Sequence, residues 1–285
     1  MHLPNSSEPS RREFLRLGTL GAAAALIGLP AAAPAAEAAP GKIPIGLELY
    51  SLRDQCRTDL PGMLKAVAKI GYRGVEFAGY WGRTAKELRQ MLDDNGLIAC
   101  GTHTPYESVI GDRLKETVEF NRTIGNHFLI VPSMDGKTRE GWIEKANLFN
   151  EIAAQVKGDG MFVGYHAHAG DFKKLDGATA WDIFFGHTHP EVIMQLDTGN
   201  CSDAGVDPVE VLNRYPGRVR TIHMKAHGGG PDKVIGEDKV NWAGVFEFCE
   251  KRGHTQWFVV EHESGRDPLD AVRRSFEALR KMGKV

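Results

Sequence analysis

The sequence predicts an α/β protein, a single (β/α)8 TIM barrel over residues 39–285. From Ile43 onward, short runs rich in Ile, Val, Leu and Phe alternate with longer segments of helical spacing, which predicts parallel strands joined by right-handed crossovers. The 247 residues after a predicted leader are close to the ~250 typical of such a barrel. A glycine-rich phosphate fingerprint would favour an open nucleotide-binding sheet, but Gly228, Gly229 and Gly230 form only a lone run after a strand.

Eight strands are predicted from apolar runs that are bounded by Gly, Pro and Asp. They cover residues 44–50, 74–77, 98–103, 128–131, 162–166, 193–197, 219–225 and 257–261. Helices are predicted over residues 61–70, 84–95, 114–124, 139–156, 208–215, 242–252 and 268–281. Thr84 and Glu87 have the spacing of a capping box, and glycines at positions 71, 96, 125 and 158 are expected to end helices.

The first 38 residues are predicted to be a twin-arginine (Tat) signal peptide. Arg11 and Arg12 precede Phe14 and an Ala/Gly-rich apolar run over residues 17–29, and the small residues around Ala38 suit cleavage after that position. The apolar run is too short for a bilayer core of about 30 Å, so no stable membrane insertion is expected after cleavage. The sequence thus predicts transport by the Tat export machinery to the periplasm or another exported location.

The composition is that of an ordinary soluble protein, with 25% charged residues and a formal net charge of -2. This balance argues against a nucleic-acid partner, which needs basic surroundings. The four cysteines, at positions 56, 100, 201 and 249, lack metal-binding spacing. They could pair in an exported protein, but we interpret them as buried free thiols.

Polar residues follow several predicted strands at their C-terminal ends. His166 and His168 close the fifth strand, Asp197 the sixth, His223 and Lys225 the seventh, and Glu261 the eighth. In a barrel these ends converge on one face, where the active site lies. Buried carboxylates that lie together are costly without a cation, so we expect one divalent metal ion. A mixed set of imidazoles and carboxylates suits Mn, Zn, Co, Ni or Fe better than Ca.

Several segments of this sequence resemble the xylose-isomerase-like sugar phosphate isomerase/epimerase superfamily, in a branch with a Tyr-His-x-His strand end. They are GLELYSLRD (46–54), GYRGVEFAGY (71–80), GYHAH (164–168), QLDTGN (195–200), DP (207–208), YPGR (215–218), HMK (223–225), IGE (235–237) and VVE (259–261). The resemblance implies a metal held by His166, Asp197, His223 and Glu261. The first position is Glu in many relatives, and His166 departs from that pattern. Whether His166 or His168 is the ligand stays open at this point.

The expected chemistry is abstraction of a proton next to a sugar carbonyl that the metal polarises. Glu261 or His168 is the candidate base, and Lys225 the candidate donor to the developing oxyanion. A sugar isomerase/epimerase is the leading prediction. The resemblance implies two opposing metal-bound glutamates in the epimerases, and His166 in place of one of them disfavours a symmetric proton transfer. A metal-dependent lyase or hydratase acting on 3-keto-glycosides is the alternative, which the predicted export favours.

The substrate side of the pocket is predicted to include Glu48, Glu76, Trp81 and His103, which lie at or just after strands one to three. The partner is expected to be a small-molecule carbohydrate, and a homo-oligomer is possible. Two other interpretations stay open: a three-zinc apurinic-site endonuclease, which the net charge of -2 disfavours, and a non-catalytic sugar-binding barrel.

Overall fold

The structure is a computed structural model that describes residues 42–230, 232–263 and 265–285. The predicted signal peptide lies outside the described residues. Within the described ranges, no helix has the length and apolar character needed to cross a membrane.

Eight parallel strands form the barrel that the sequence predicts. They are β1 (Ile45–Glu48), β2 (Gly74–Phe77), β3 (Ile98–His103), β4 (Phe128–Val131), β5 (Phe162–His166), β6 (Ile193–Gln195), β7 (Thr221–Lys225) and β8 (Trp257–Glu261). Each strand from β1 to β6 pairs with its sequence neighbour, and β1 also pairs with β8, which pairs with β7. Between β6 and β7, Met194 N donates to Arg218 O at 3.0 Å and His223 N to Leu196 O at 2.9 Å. These bonds and a bridge between Asp197 and His223 close the ring of strands.

Helices follow the strands in the expected alternation. They are α1 (Arg53–Ile70), α2 (Ala85–Asn95), α3 (Arg113–Ile124), α4 (Arg139–Lys157), α5 (Ala180–His187), α6 (Thr198–Asp203), α7 (Pro208–Arg214), α8 (Trp242–Lys251) and α9 (Pro268–Lys281). The Thr84–Glu87 capping box is confirmed, and the four predicted glycines are the C-caps of α1 to α4.

Four boundaries differ from the sequence prediction by two residues or more, and one of them is the start of the seventh strand, at Thr221 rather than at residue 219. The predicted first strand ends two residues early because Leu49–Leu52 forms a 3-10 turn after Glu48. The predicted sixth strand ends at Gln195, and Asp197 instead caps α6. The first helix begins at Arg53 rather than at residue 61, but it is kinked at Asp59, whose carboxylate accepts from Gly62 N at 2.9 Å. Pro61 lies in the first turn after this kink, so it marks the start of the second part of α1, as the sequence predicted.

The barrel has two apolar layers. The larger one lies between strands and helices and includes Leu47, Leu129 and Val163. A small cluster of Phe128, Ile130 and Ile193 lies on the opposite strand face, inside the barrel. Because this cluster fills only part of the interior, the polar residues at the C-terminal strand ends occupy the volume nearer the mouth. The four cysteines are buried free thiols, as expected.

The helix α5, which the sequence patterns did not predict, packs through Phe184 against an aromatic cluster that includes Phe149 and Tyr165. Phe184 is fully buried. Its ring centroid lies 5.1 Å from that of Phe149 on α4 and 5.4 Å from that of Tyr165 on β5. The helix buries most of its residues, so it lacks the alternation of polar and apolar faces by which helices are recognised.

We expect Phe184→Ala to lower the free energy of unfolding by about 3–5 kcal/mol, because it leaves a cavity where α4, α5 and β5 meet. Urea unfolding at constant pH measures the change. Ile98→Ala, at a position with 47% of the side chain exposed, is the control and should change stability by less than about 1 kcal/mol. Equal effects of the two substitutions would contradict this account of the packing.

Candidate metal centre

Four strands deliver the predicted metal ligands to one place. His166 ends β5, His223 lies in β7, Glu261 ends β8, and Asp197 follows β6 as the N-cap of α6. One potential ligand atom from each of these residues lies within 4.8 Å of every other, and all four side chains are buried. Two imidazoles and two carboxylates at this spacing form a donor set that suits a divalent transition metal.

The Asp197 carboxylate shows why a cation fits. Its Oδ1 atom accepts from Asn200 N at 2.7 Å, whereas the buried Oδ2 atom has no hydrogen-bond partner among the described residues. Burial raises the pKa of Asp197 to about 7, against the attraction of Lys225. A carboxylate oxygen that is withdrawn from water and lacks a donor is costly unless a positive charge lies beside it.

Glu261 lies between two cationic partners. His223 Nδ1 is 2.5 Å from Glu261 Oε2, and Lys225 Nζ is 3.4 Å from Glu261 Oε1. Burial opposes ionisation of Glu261, but His223 and Lys225 outweigh it and lower its pKa. Lys225 also contacts Glu263 and donates to Asn200 Oδ1 at 3.1 Å. Glu261 is therefore an ionised carboxylate, and Lys225 a fixed ammonium beside it.

A second group of potential ligands adjoins the four-residue group. It contains Glu48, Glu76 and His103, which the sequence predicted to bind substrate. They and His223 also offer ligand atoms within 4.8 Å of one another. The Glu48 and Glu76 carboxylates are fully buried, and Glu48 Oε2 lacks a hydrogen-bond partner within the described ranges. Burial and Glu76 raise the pKa of Glu48, whereas His223 and His103 overcome burial and lower that of Glu76. These two carboxylates are closed to solvent, and their group adjoins the candidate ion site through His223, which belongs to both groups.

The remaining predicted residues lie outside these groups. His168 follows β5 in the loop, with its ring centroid 4.9 Å from that of His166, and only His166 belongs to the four-residue group. Burial lowers the pKa of His168, so its imidazole is neutral near pH 7. Trp81 lies in the turn after β2 with a left-handed backbone, φ 46°, partly buried against the apolar core.

Gln195 is the residue that sequence reasoning missed. It is fully buried, and its amide contacts Glu76, His103 and His166. One signal was available: Gln195 precedes Asp197 by two positions, and residues two apart in a strand share a face. The position of Gln195 in an apolar strand therefore predicts that its amide points toward the same site as Asp197.

Comparison with known proteins identifies the family. The family model for the xylose isomerase-like TIM barrel matches residues 64–282. The chain belongs to this family. The resemblance drawn from the sequence is thus confirmed, and so is the barrel fold.

Three known proteins illustrate what this chain is similar to. An inosose dehydratase of Geobacillus thermodenitrificans is 26% identical over 260 residues, which cover 75% of this chain and 84% of that one. The crystal structure of a sugar phosphate isomerase/epimerase from Parabacteroides distasonis superposes with a TM-score of 0.73 at 24% identity, covering 86% of this chain and 97% of that one. The structure of an IOLI protein with a bound zinc atom has a TM-score of 0.62 at 12% identity, over 84% and 96% of the two chains.

Asp197→Asn is expected to change stability in opposite directions with and without metal. Because its pKa is raised, the Asp197 carboxyl of the folded protein stays protonated between pH 3.8, the ordinary pKa, and about pH 7. The stability that this group contributes is therefore lost as the pH rises through 7. At pH 8 with a chelator, the neutral amide avoids a buried charge and still caps α6, so the variant should be the more stable protein. With saturating Mn²⁺ or Zn²⁺ it should be the less stable one.

Thermal unfolding in both conditions measures this crossover. Asp207→Asn is the matched control, because Asp207 caps α7 through Val209 N at 2.9 Å and is exposed. It should respond to metal as the wild type does. A metal-dependent stabilisation of Asp197→Asn equal to that of the wild type would contradict a ligand role for Asp197.

Proposed function

We propose that the protein is a divalent metal-dependent lyase that removes a proton next to the carbonyl of a keto-carbohydrate and expels a β-hydroxyl or β-alkoxyl group. The observation that carries the proposal is the convergence of His166, Asp197, His223 and Glu261 at the C-terminal strand ends. A bound divalent ion would act there as a Lewis acid on the substrate oxygens and acidify the neighbouring C–H bond.

The chain itself supplies a base and an oxyanion donor. Glu261 is ionised at neutral pH and His168 is neutral, so either accepts the carbon-bound proton. The C–O bond at the β-position then breaks, and the proton is returned to the departing oxygen. Neighbouring carboxylates raise the pKa of Lys225 despite its burial, so it stays a cation and donates a hydrogen bond to the enolate oxygen.

Elimination is favoured over epimerisation by the ligand set. Exchange of a proton between two faces of one carbon needs an acid and a base on opposite sides, and the family resemblance assigns these roles in the epimerases to two metal-bound glutamates. Here His166 occupies the first of these positions. The similarity to inosose dehydratases supports the same conclusion, since dehydration is an elimination of water.

A sugar isomerase/epimerase is the second candidate. Structural neighbours named sugar phosphate isomerase/epimerase and L-ribulose 3-epimerase support it. The exposed His168 would then return the proton at the other face or at the neighbouring carbon.

One experiment separates the two reactions. Purified protein with Mn²⁺, Zn²⁺ or Co²⁺ is incubated in D₂O with an inosose and, separately, with a 3-keto-glycoside, and the products are followed by mass spectrometry and proton NMR. The proposal predicts loss of water from the inosose or of the aglycone from the glycoside. A product of unchanged composition that carries deuterium would favour the isomerase/epimerase. Neither change in either substrate class would contradict proton abstraction.

Glu261→Gln should lower the rate of this reaction by about 10²–10⁴-fold, because the amide neither accepts the proton nor supplies the ligand charge. Glu247→Gln is the matched control, since Glu247 lies on the surface of α8 and pairs with Lys251 alone among the residues that the structure describes. The control should keep the wild-type rate. Retained activity in Glu261→Gln would exclude Glu261 from the reaction.

Export belongs to the same proposal, and it places the reaction where unphosphorylated glycosides are available. Arg11→Lys together with Arg12→Lys should keep the protein in the cytoplasmic fraction of a bacterium that has the Tat machinery. Cell fractionation measures the distribution. Undiminished export of this variant would contradict the twin-arginine route.

A further inference from the structure

The Gln195 amide contacts both groups of potential ligands in the candidate metal centre. Its Oε1 atom is 3.0 Å from His166 Nδ1 and 3.0 Å from His103 Nε2. Its Nε2 atom donates to both carboxylate oxygens of Glu76 at 3.1 Å. One fully buried side chain therefore joins two imidazoles to a carboxylate.

The chemistry of these partners determines how the amide is turned. Gln195 Nε2 lies 3.1 Å from each carboxylate oxygen of Glu76, so the NH₂ group of Gln195 faces Glu76. The amide oxygen then faces the two imidazoles, and since it too only accepts, each imidazole must present an N–H. The proton of His166 is thereby placed on Nδ1, and that of His103 on Nε2.

The tautomer of His166 decides which nitrogen is free to bind an ion. A neutral imidazole carries one N–H and one lone pair. With the proton on Nδ1 held by Gln195, the lone pair of His166 is on Nε2. A histidine ligand whose other nitrogen donates to a fixed acceptor is oriented and made more basic by it.

Glu76 extends the same arrangement to His223. Glu76 Oε1 is 3.5 Å from His223 Nε2, while His223 Nδ1 faces Glu261 Oε2 at 2.5 Å and Asp197 Oδ2 at 3.9 Å. The carboxylate that orients Gln195 thus also lies behind the second histidine. Gly101 leaves room for it, because a Cβ atom there would lie 2.6 Å from Glu76 Oε2.

We propose that Gln195, which Glu76 orients, is a positioning residue that sets the tautomer of His166 and so prepares the metal centre. The proposal rests on the metal site of the proposed function. It concerns a residue that touches neither substrate nor ion, and it predicts an effect on the folded protein before any metal is bound.

The test uses Gln195→Met, which keeps the volume of the side chain and removes both of its hydrogen-bonding roles. Competition with a chelator should show Zn²⁺ binding weakened about 10–100-fold relative to the wild type. In metal-free protein labelled with ¹⁵N-histidine, NMR should show the His166 proton on Nδ1 in the wild type and redistributed to Nε2 in the variant. His166→Asn assigns the signal by its absence.

Glu76→Gln is the second variant and should weaken Zn²⁺ binding in the same direction, since a neutral amide no longer orients Gln195. It tests the proposal even if Gln195→Met does not fold. Asn121→Ser is the matched control, because it alters another fully buried amide that contacts neither group of potential ligands; its partners include Tyr80, Thr102, Thr117 and Asn126. It should leave Zn²⁺ affinity at the wild-type value.

The outcomes distinguish this inference from the function on which it rests. A wild-type protein that binds no Zn²⁺ would contradict the proposed function itself. If the wild type binds Zn²⁺ and the folded Gln195→Met and Glu76→Gln variants bind it within twofold, with the His166 tautomer unchanged, the positioning role of Gln195 is wrong and the metal site stands.

Discussion

Four carboxylates are buried inside one end of this barrel, and their mutual repulsion is the constraint on which the rest of the site depends. Glu48, Glu76, Asp197 and Glu261 are each no more than 5% exposed. In the absence of an ion, Lys225 and a cationic His223 neutralise part of this charge, whereas burial and the neighbouring carboxylates raise the pKa of Asp197 and Glu48. A divalent ion beside Asp197 and Glu261 would neutralise most of the remaining negative charge, so the charges favour an ion at the same position as the spacing of the ligand atoms does.

The fold makes this concentration of charge possible because each residue has a separate support. Asp197 is held by the first turn of α6, Lys225 by Asn200 and the carboxylates around it, and Glu76 by Gln195. The apolar cluster around Ile130 and Ile193 fills the barrel interior on the side away from the mouth and excludes water there. Candidate ligands held by three strands and by the start of α6 would need little rearrangement when an ion binds, and preorganisation of this kind is what metal catalysis requires.

The sequence was most informative where a local pattern carried the information. An apolar run that ends in His166, Asp197, His223 or Glu261 is visible without a structure, and barrel topology alone brings such strand ends together. Other features depend on neighbours that are distant in sequence. Contacts across the barrel bury Glu48 and Glu76, bring His166 rather than His168 into the four-residue group and give Gln195 its partners. The position of α5 depends on an aromatic cluster rather than on a periodic pattern.

Elemental analysis of the purified mature protein, beside Asp197→Ala and Glu261→Ala, tests the central claim most directly. The account predicts about one divalent ion per chain in the wild type and its loss from both variants, with each variant still folded by circular dichroism. A folded wild type that contains no metal and stays empty after incubation with Mn²⁺, Zn²⁺ and Co²⁺ would contradict it, and the barrel would then be better understood as a sugar-binding protein.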